Sequence, residues 1–343
     1  MNSMRAKLEH TLLRLWQRRS WFAYLNWPCS VLFSYLQKRR LHAYQSGALA
    51  VQKLPVPVIV VGNIYLGGTG KTPLVIYLVQ QLQALGWRPG VISRGYGSAA
   101  AQPQMVDDAS LAKVCGDEPV LIRQRCAVPV AIGRQRAAAA TLLLAQHPEV
   151  NLIISDDGLQ HYALARDLEC LVFDQRGIGN GWLLPAGPLR EPANRRRDFT
   201  ILNSLDGVVP AGLQQAEGLY LMRLQLDSAY ALAEPGRKRA LSSFASESRL
   251  LALAGIGNPA RFFDSLRQQG LQFAELALPD HFAFDERSLR DITADIILIT
   301  EKDAVKCQAI PALREDTRLW VVPVEASLAA QFIAELSARL PEK

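Results

Sequence analysis

The chain predicts an α/β fold, with a parallel sheet covered by helices on both faces followed by a second, smaller α/β unit. Three observations carry that expectation. Strand-like runs recur at 58–61, 91–93, 128–132, 152–154, 171–173 and 199–202, with helical stretches such as 134–145 between several of them. After Asn203 the pattern loosens around Gly, Pro and a basic cluster, Arg237 to Arg239, before a second alternating block starts at Leu250. The length of 343 residues exceeds one domain of roughly 100–200 residues. A composition 49% hydrophobic and 20% charged supplies a core and argues against disorder.

At the N-terminus, residues 21–36 carry Trp21, Phe22, Tyr24, Leu25, Trp27, Val31, Leu32, Phe33, Tyr35 and Leu36. Arg14, Arg18 and Arg19 flank them on one side, and Lys38, Arg39 and Arg40 on the other. A membrane-spanning helix needs about 20 apolar residues; these 16 positions are interrupted by Asn26 and Pro28. The segment therefore does not span, and it lacks the small-residue cleavage site of a signal peptide. Aromatic rings at headgroup level beside cations are the composition of an interfacial anchor, each cation contributing about 1 kcal/mol at an anionic surface. The alternative is a helical hairpin docked on the body with solvated charges.

The same segment explains the formal charge of +6, because residues 1–40 hold Arg5, Lys7 and six further basic residues against Glu9 alone. The body is left near neutral, which excludes a nucleic-acid-binding surface of the usual basic kind. The five cysteines are scattered, with no Cys-x-x-Cys pair, which fits a reducing compartment and speaks against a disulfide framework or structural zinc.

The strongest local signal follows the first predicted strand. Gly67, Gly68, Thr69, Gly70, Lys71 and Thr72 lie between that strand and an apolar helix opened by Pro73 and stopped by Gly86. Strand, glycine loop, Lys-Thr and helix form a phosphate-binding loop (P-loop), whose backbone amides curl around phosphates at a helix N-terminus. Lys71 reaches the β- and γ-phosphates and the Thr72 hydroxyl ligates Mg²⁺. The usual motif places glycine six residues before the lysine, where this chain has Tyr65.

A second apolar run ends in Asp156 and Asp157, the pattern of a carboxylate at a strand's carboxyl end facing the metal. Gln160 and His161 follow closely enough to line the same cleft. The Gly255-x-Gly257-Asn258-Pro259 loop lacks the third glycine of a dinucleotide fingerprint. Thr300, Glu301, Lys302 and Asp303 follow a buried strand, as base-reading loops of GTPases do, but with different side chains at the matching positions. The expected division is residues 1–45 as amphipathic membrane-associated helices, 46–210 as the P-loop unit, and 211–343 as a C-terminal α/β unit closing over the nucleotide cleft. A linker is expected at about 205–245.

Taken in order, Gly62-Asn63 with the glycine loop, Ser93-Arg94-Gly95-Tyr96-Gly97, Gly116-Asp117-Glu118-Pro119, Asp156 to His161, Leu184 to Pro192, Asp280-His281 and Thr300 to Lys306 resemble one family. The chain resembles the tetraacyldisaccharide 4′-kinases, the lipid A 4′-kinases, from about residue 20 to 310. The resemblance implies transfer of the γ-phosphate of Mg²⁺–ATP to the 4′-hydroxyl of tetraacyldisaccharide 1-phosphate. It also implies a peripheral location at the cytoplasmic face of the inner membrane, with no nucleic acid and no obligate protein partner. It makes Asp117 a catalytic base paired with His281. Arg94 becomes a phosphate ligand, Glu191 joins Thr72, Asp156 and Asp157 at the metal, and Arg190 is a further phosphate contact. Arg195 to Arg197 meet the substrate's 1-phosphate or form a solvated basic loop. Two other classes stay open. A membrane-associated regulatory NTPase releases phosphate without a lipid acceptor, and a nucleotide-gated assembly protein binds without turnover.

Overall fold

The β-branched run after Pro57 forms β1 (Val58–Gly62), buried at every position. It lies at the centre of the computed structural model, which describes residues 14–95 and 102–341 together with Leu12. Arg5, Lys7 and Glu9 of the N-terminal charge cluster and Tyr96 and Gly97 lie outside the described residues. Alternate β1 side chains serve opposite faces of the sheet. Ile59 and Val61 pack with Leu78, Leu82 and Ile154 on one face, and Val58 and Val60 with Ile153 and Phe173 on the other. Burying each such side chain contributes about 1.5–3 kcal/mol, so a strand polar on either face could not hold this central position.

The remaining strands, in chain order, are β2 (Pro89–Ser93), β3 (Gln104–Val106), β4 (Val130–Ile132), β5 (Leu152–Asp156), β6 (Leu168–Asp174), β7 (Phe199–Asn203), β8 (Leu219–Gln225), β9 (Ser228–Ala231), β10 (Lys238–Ala240), β11 (Leu250–Ala254), β12 (Ala274–Ala277), β13 (Ile296–Thr300), β14 (Leu319–Val322) and β15 (Glu325–Ser327). Nine form one sheet, ordered β15-β8-β7-β6-β1-β5-β2-β4-β3, and six form another, ordered β10-β9-β14-β13-β11-β12. In the large sheet β1 pairs in parallel with β5 and β6, with Val61 opposite Asp156. That register brings the end of β1, where the chain enters the glycine loop, level with the paired aspartates.

The helices used below are α1 (Trp21–Leu25), α2 (Trp27–Gln45), α3 (Lys71–Ala84), α4 (Asp117–Cys126), α5 (Arg136–Gln146), α6 (Pro259–Gln268), α7 (Glu301–Gln308) and α8 (Ala330–Ala338). Helix α3 starts at Lys71, two residues before Pro73, because first-turn amides have no intrahelical partner and proline costs little there.

The boundary expected at residue 211 is corrected by the sheet order. Residues 219–225, placed by sequence in an irregular linker, form β8 and pair in parallel with β7 of the large sheet. At the other end, β15 pairs antiparallel with β8, and α8 sets Phe332 edge-on against Phe199 with ring centroids 5.4 Å apart. The second sheet is thus an insertion over 228–322, with both of its connections leaving the first unit at one edge. An apolar strand joins whichever sheet edge is free, a choice that local composition does not encode.

The N-terminal helices break between α1 and α2 at Asn26, where Asn26 and Pro28 had been expected to interrupt the apolar run. Ser30 Oγ donates to the Leu183 carbonyl at 2.8 Å and Trp16 Nε1 to that of Pro185 at 3.0 Å, fastening the segment to the body. Trp21, Tyr24, Leu25, Leu32 and Leu36 stay exposed, Trp21 at 75%. Among the described residues no helix is long and apolar enough to cross a membrane.

Candidate active site

The glycine loop leaves β1 and returns as α3. Gly70 caps that helix with φ +95°, a conformation open to glycine and strained for other residues. A Cβ there would also meet Asn203 Nδ2 at 2.3 Å. Asn63 Nδ2 donates to the carbonyls of Tyr65 and Gly67, at 2.8 and 3.0 Å, and Asn203 Nδ2 donates to that of Thr69 at 3.0 Å. With its carbonyls tied outward, the loop keeps its amides for an anion. Tyr65, which occupies the usual glycine position, is buried beneath the loop. Its hydroxyl accepts from Gln17 and the Arg176 guanidinium lies 4.5 Å from its ring centroid.

Lys71 Nζ donates to Asn63 Oδ1 at 3.2 Å and lies 3.7 Å from Asp157 Oδ1. Asp157 takes a left-handed φ of +47°, so the two successive aspartates leave β5 in different directions. Underneath, the buried Arg136 guanidinium donates to the backbone carbonyls of Asp156 at 3.3 Å and Asp157 at 3.4 Å, fixing the turn. Burial brings the Arg136 guanidinium down to about 10, against the pull of both aspartates. Burial and the Glu118 charge push the Asp156 carboxyl up to about 7 despite Lys71. Burial works the same way on Asp157, but Lys71, Arg190 and Arg136 outweigh it and hold that carboxyl below its ordinary range.

Among the described residues no three His, Cys, Asp or Glu side chains form a self-sufficient metal cage. Mg²⁺ does not require one, since it takes one or two carboxylates and completes its shell with phosphate and water. The donor set fits that mode. Asp156 Oδ1 is buried without a hydrogen-bond partner, while its Oδ2 accepts from Ser93 Oγ at 3.2 Å. An unpaired oxygen on a buried carboxylate is costly unless a cation or proton meets it. Thr72 is buried at the start of α3 and lines the cleft beside the glycine loop.

Asp117 opens α4 and is buried, and its Oδ2 lies 3.1 Å from His281 Nδ1, a pairing made across 164 positions of sequence. Burial alone would raise the Asp117 carboxyl. The His281 hydrogen bond and the charges of Lys302, His281 and Lys306 overcome it and hold the group at about 2. His281 is correspondingly raised, first by the Asp117 hydrogen bond, against its own burial. The imidazole comes from the second unit with φ +56°.

The cleft between the two units has a volume of about 1080 Å³ including the solvent at its mouth. The loop from Gly68 to Pro73 and Glu118 form its polar wall, and Ile76, Leu121, Leu224, Ile256 and Phe262 an apolar one. Sequence reasoning missed Arg136, Asn203, Arg261 and the Glu118–Lys302 pair as site residues. Arg261, one turn into α6, donates to Asn203 Oδ1 and so reaches the glycine loop through one side chain.

One expected metal ligand is engaged elsewhere. Glu191 does not turn an open carboxylate to the metal, because Oε1 accepts from Gln160 at 2.7 Å and Oε2 pairs with Arg195 at 2.8 Å. The same pairing, with Arg195 bridging on to Glu169, makes Arg195 a structural cation rather than a free basic loop residue. Arg94 is exposed at the end of β2, and its charge is felt by His161 and by Arg136 beneath the paired aspartates. His161 is brought down to about 4 by burial and by those two arginines, and is neutral at neutral pH. Arg190 Nη1 lies 3.5 Å from Asp157 Oδ2 and Nη2 donates to Asn63 Oδ1 at 3.1 Å, placing it against the loop and the aspartates together.

Known proteins match this arrangement over nearly the whole chain. The family described as Tetraacyldisaccharide-1-P 4′-kinase matches residues 22–341. A protein named tetraacyldisaccharide 4′-kinase from Janthinobacterium sp. (strain Marseille) is 53% identical over 337 residues, covering 96% of this chain and 95% of the relative. Its counterpart from Herminiimonas arsenicoxydans is 50% identical over 344 residues, covering 98% and 97%. The crystal structure of LpxK from Aquifex aeolicus in complex with ATP superposes with a TM-score of 0.77 at 27% identity, over 93% of this chain and 99% of that one. With the glycine loop, the paired aspartates and the Asp117–His281 contact in place, the chain belongs to the tetraacyldisaccharide-1-P 4′-kinase family.

Proposed function

We propose that this chain transfers the γ-phosphate of ATP to the 4′-hydroxyl of tetraacyldisaccharide 1-phosphate, with Asp117 as the proton acceptor. One observation carries the residue assignment: the Asp117–His281 pair adjoins Glu118, which lines the same cleft as the phosphate-binding loop. A hydrolase or switch needs a positioned water at that place, whereas an alcohol acceptor needs a base for its proton. The hydroxyl oxygen forms a bond to the γ-phosphorus as its proton passes to Asp117. The bond from the γ-phosphorus to the β,γ-bridging oxygen breaks and ADP leaves.

In this reading the amides of Gly67, Gly68, Thr69 and Gly70 cradle the phosphates and Lys71 neutralises charge at the β- and γ-positions. Thr72, Asp156 and Asp157 hold Mg²⁺, which supplies charge neutralisation on the phosphate oxygens. Arg190, rather than Arg94, is the arginine set against the reacting phosphate. His281 orients the Asp117 carboxylate and tunes its basicity. The insertion over 228–322 closes on the nucleotide, since Arg261 and Lys302 line the cleft from it and His281 meets Asp117 next to Glu118.

The test is transfer of labelled γ-phosphate from Mg²⁺–ATP to tetraacyldisaccharide 1-phosphate in detergent micelles. Labelled lipid is the expected product. Free labelled phosphate without labelled lipid would make the protein a regulatory NTPase instead.

The N-terminal segment belongs to the same reading as a peripheral anchor at the cytoplasmic face of the inner membrane. Its exposed Trp21, Leu25, Leu32 and Leu36 lie in a segment bracketed by Arg18, Arg19, Lys38, Arg39 and Arg40. Replacing Lys38, Arg39 and Arg40 with glutamine is expected to lower co-sedimentation with anionic vesicles by at least roughly tenfold at low salt, at about 1 kcal/mol per cation. Equal sedimentation of variant and wild type would remove electrostatic anchoring by this cluster.

A further inference from the structure

The Thr300-Glu301-Lys302-Asp303 element has no assigned part in phosphate transfer, and the structure gives each of its side chains a definite partner. Thr300 Oγ1 caps α7 by accepting from the Asp303 amide at 3.2 Å. Asp303 Oδ2 accepts from the Gly255 amide at 2.9 Å and from the Thr300 hydroxyl at 2.7 Å, locking the loop beyond β11 to α7. Glu301 and Lys302 reach across to the first unit. Glu301 pairs with Arg125 at 2.5 Å and Lys302 pairs with Glu118. Positions 118 and 125 are two turns apart on α4 and share a face, so two adjacent opposite charges on α7 grip one stripe of α4. Asp117 is the first residue of that helix.

The Lys302 contact differs from the Arg125 contact in where it points. Glu118 and Lys302 both line the nucleotide cleft with Gly68 to Thr72, and the Glu118 charge is felt by Asp156. A cluster of Glu118, Asp156 and Asp157 faces Lys71, Arg136, Arg190 and Lys302, with Asp117, Asp280 and His281 beside Lys302. Of these cations, Lys302 alone is brought by the second unit and holds Glu118 directly. Its ammonium sits on a flexible stem and the side chain is about one-quarter exposed, so it can change partner without repacking.

We infer that Lys302 is the resident counter-cation of Glu118 while the cleft is empty, and that it moves to the nucleotide's phosphates when they arrive. The inference deepens the kinase reading and rests on its placement of phosphate and metal in this cleft. With the cleft empty, the ammonium satisfies a carboxylate that would otherwise attract a free divalent cation, and like-charge repulsion keeps such a cation away. A triphosphate offers Lys302 a second anion, and Glu118 is released to the charge accompanying that triphosphate. Lys302 is then a phosphate-binding residue delivered by the second unit. The exchange ties the position of α4, and with it Asp117, to occupancy of the cleft.

The experiment measures Mn²⁺ binding to the nucleotide-free, full-length protein by the loss of the free-ion spin-resonance signal. Removing a unit positive charge beside the carboxylates makes Lys302→Met bind Mn²⁺ more tightly, on the order of tenfold. The double variant Lys302→Met, Glu118→Gln returns to wild-type affinity or weaker. A loss of structure cannot produce tighter binding, so this readout separates the inference from a merely structural role. A folded Lys302→Met that binds Mn²⁺ no more tightly than wild type overturns it. Should Lys302→Met not fold, Glu118→Gln carries the test by titration of metal-free ATP. Freed from its carboxylate, Lys302 strengthens ATP binding several-fold, and unchanged or weaker binding overturns the inference. Lipid phosphorylation by the wild type is measured separately; its absence would sink the kinase reading and leave the Mn²⁺ result to stand on its own.

Discussion

Lys71→Ala is expected to lower transfer of labelled phosphate to lipid on the order of 10²–10³-fold, the loss that follows removal of one preorganised charge-stabilising donor. The side chain is only 11% exposed, and its ammonium is held by Asn63 Oδ1 at 3.2 Å with Asp157 Oδ1 at 3.7 Å. Truncation leaves both partners supported, because Arg190 also contacts each of them. The fold is therefore expected to survive, with little change in the thermal midpoint, while ATP binding weakens together with turnover. If lipid labelling stays within twofold of wild type, the loop is not the site of transfer. The comparison with Lys302→Met is informative, since both are cations lining one cleft. Lys71 stands at a helix N-terminus fixed by its own unit, whereas Lys302 is brought by the second unit. Loss of Lys71 weakens binding of nucleotide with or without metal, and loss of Lys302 changes how metal binds when nucleotide is absent.

What could be read from sequence divides along contact range. The glycine loop was legible because its parts are contiguous: strand, turn, Lys71-Thr72 and helix each leave a local signature. Asp156 and Asp157 were legible for the same reason, at the end of an apolar strand. The Asp117–His281 contact was not written in local chemistry, and only resemblance to a family linked the two positions. Arg136 left no signal, because an arginine near the start of an alanine-rich helix reads as a solvated charge, while the structure turns it under the paired aspartates. Lys302 and Glu118 are 184 positions apart, and although each sits in a motif, nothing local in the sequence pairs them. Glu191 is the opposite case. Arg195 four residues later offered a partner at short range, and the structure spends the carboxylate there. Residues 219–225 show the limit for the fold, since a stretch read as irregular linker becomes a strand by pairing with β7, a partner that local composition does not reveal. Tyr65 looked like a defect in the loop until Arg176 and Gln17 supplied its surroundings, both from outside the motif.

Asp117→Asn is expected to reduce lipid phosphorylation by roughly 10²–10⁴-fold, the range for loss of a positioned base, while ATP binding stays close to wild type. The pH dependence adds a sharper test. The Asp117 carboxyl is held at about 2, so it stays ionised throughout the useful range and does not itself set the profile. His281 is raised above its ordinary 6.5, chiefly by the same hydrogen bond, with Asp280 adding to the rise and Lys302 opposing it. While His281 carries its proton, the cation stabilises the carboxylate and weakens it as a base. As pH climbs through the raised His281 value that stabilisation fades, Asp117 becomes more basic, and transfer rises with a midpoint above 6.5. In His281→Gln the rise disappears, because glutamine donates a hydrogen bond without titrating. A rise of unchanged midpoint in that variant would remove His281 from the mechanism. Stability runs the other way at the alkaline end. A raised histidine stabilises the fold below its unfolded value and loses that contribution as pH climbs through its folded one. A depressed aspartate stabilises above its unfolded value and loses that contribution as pH falls toward 2. The pair therefore stabilises most between about 4 and 6.5, the unfolded values of the two groups, and progressively less as pH climbs to the raised His281 value. Activity is thus expected to grow over the interval in which the ion pair weakens, which is what a base restrained by its own counter-ion requires.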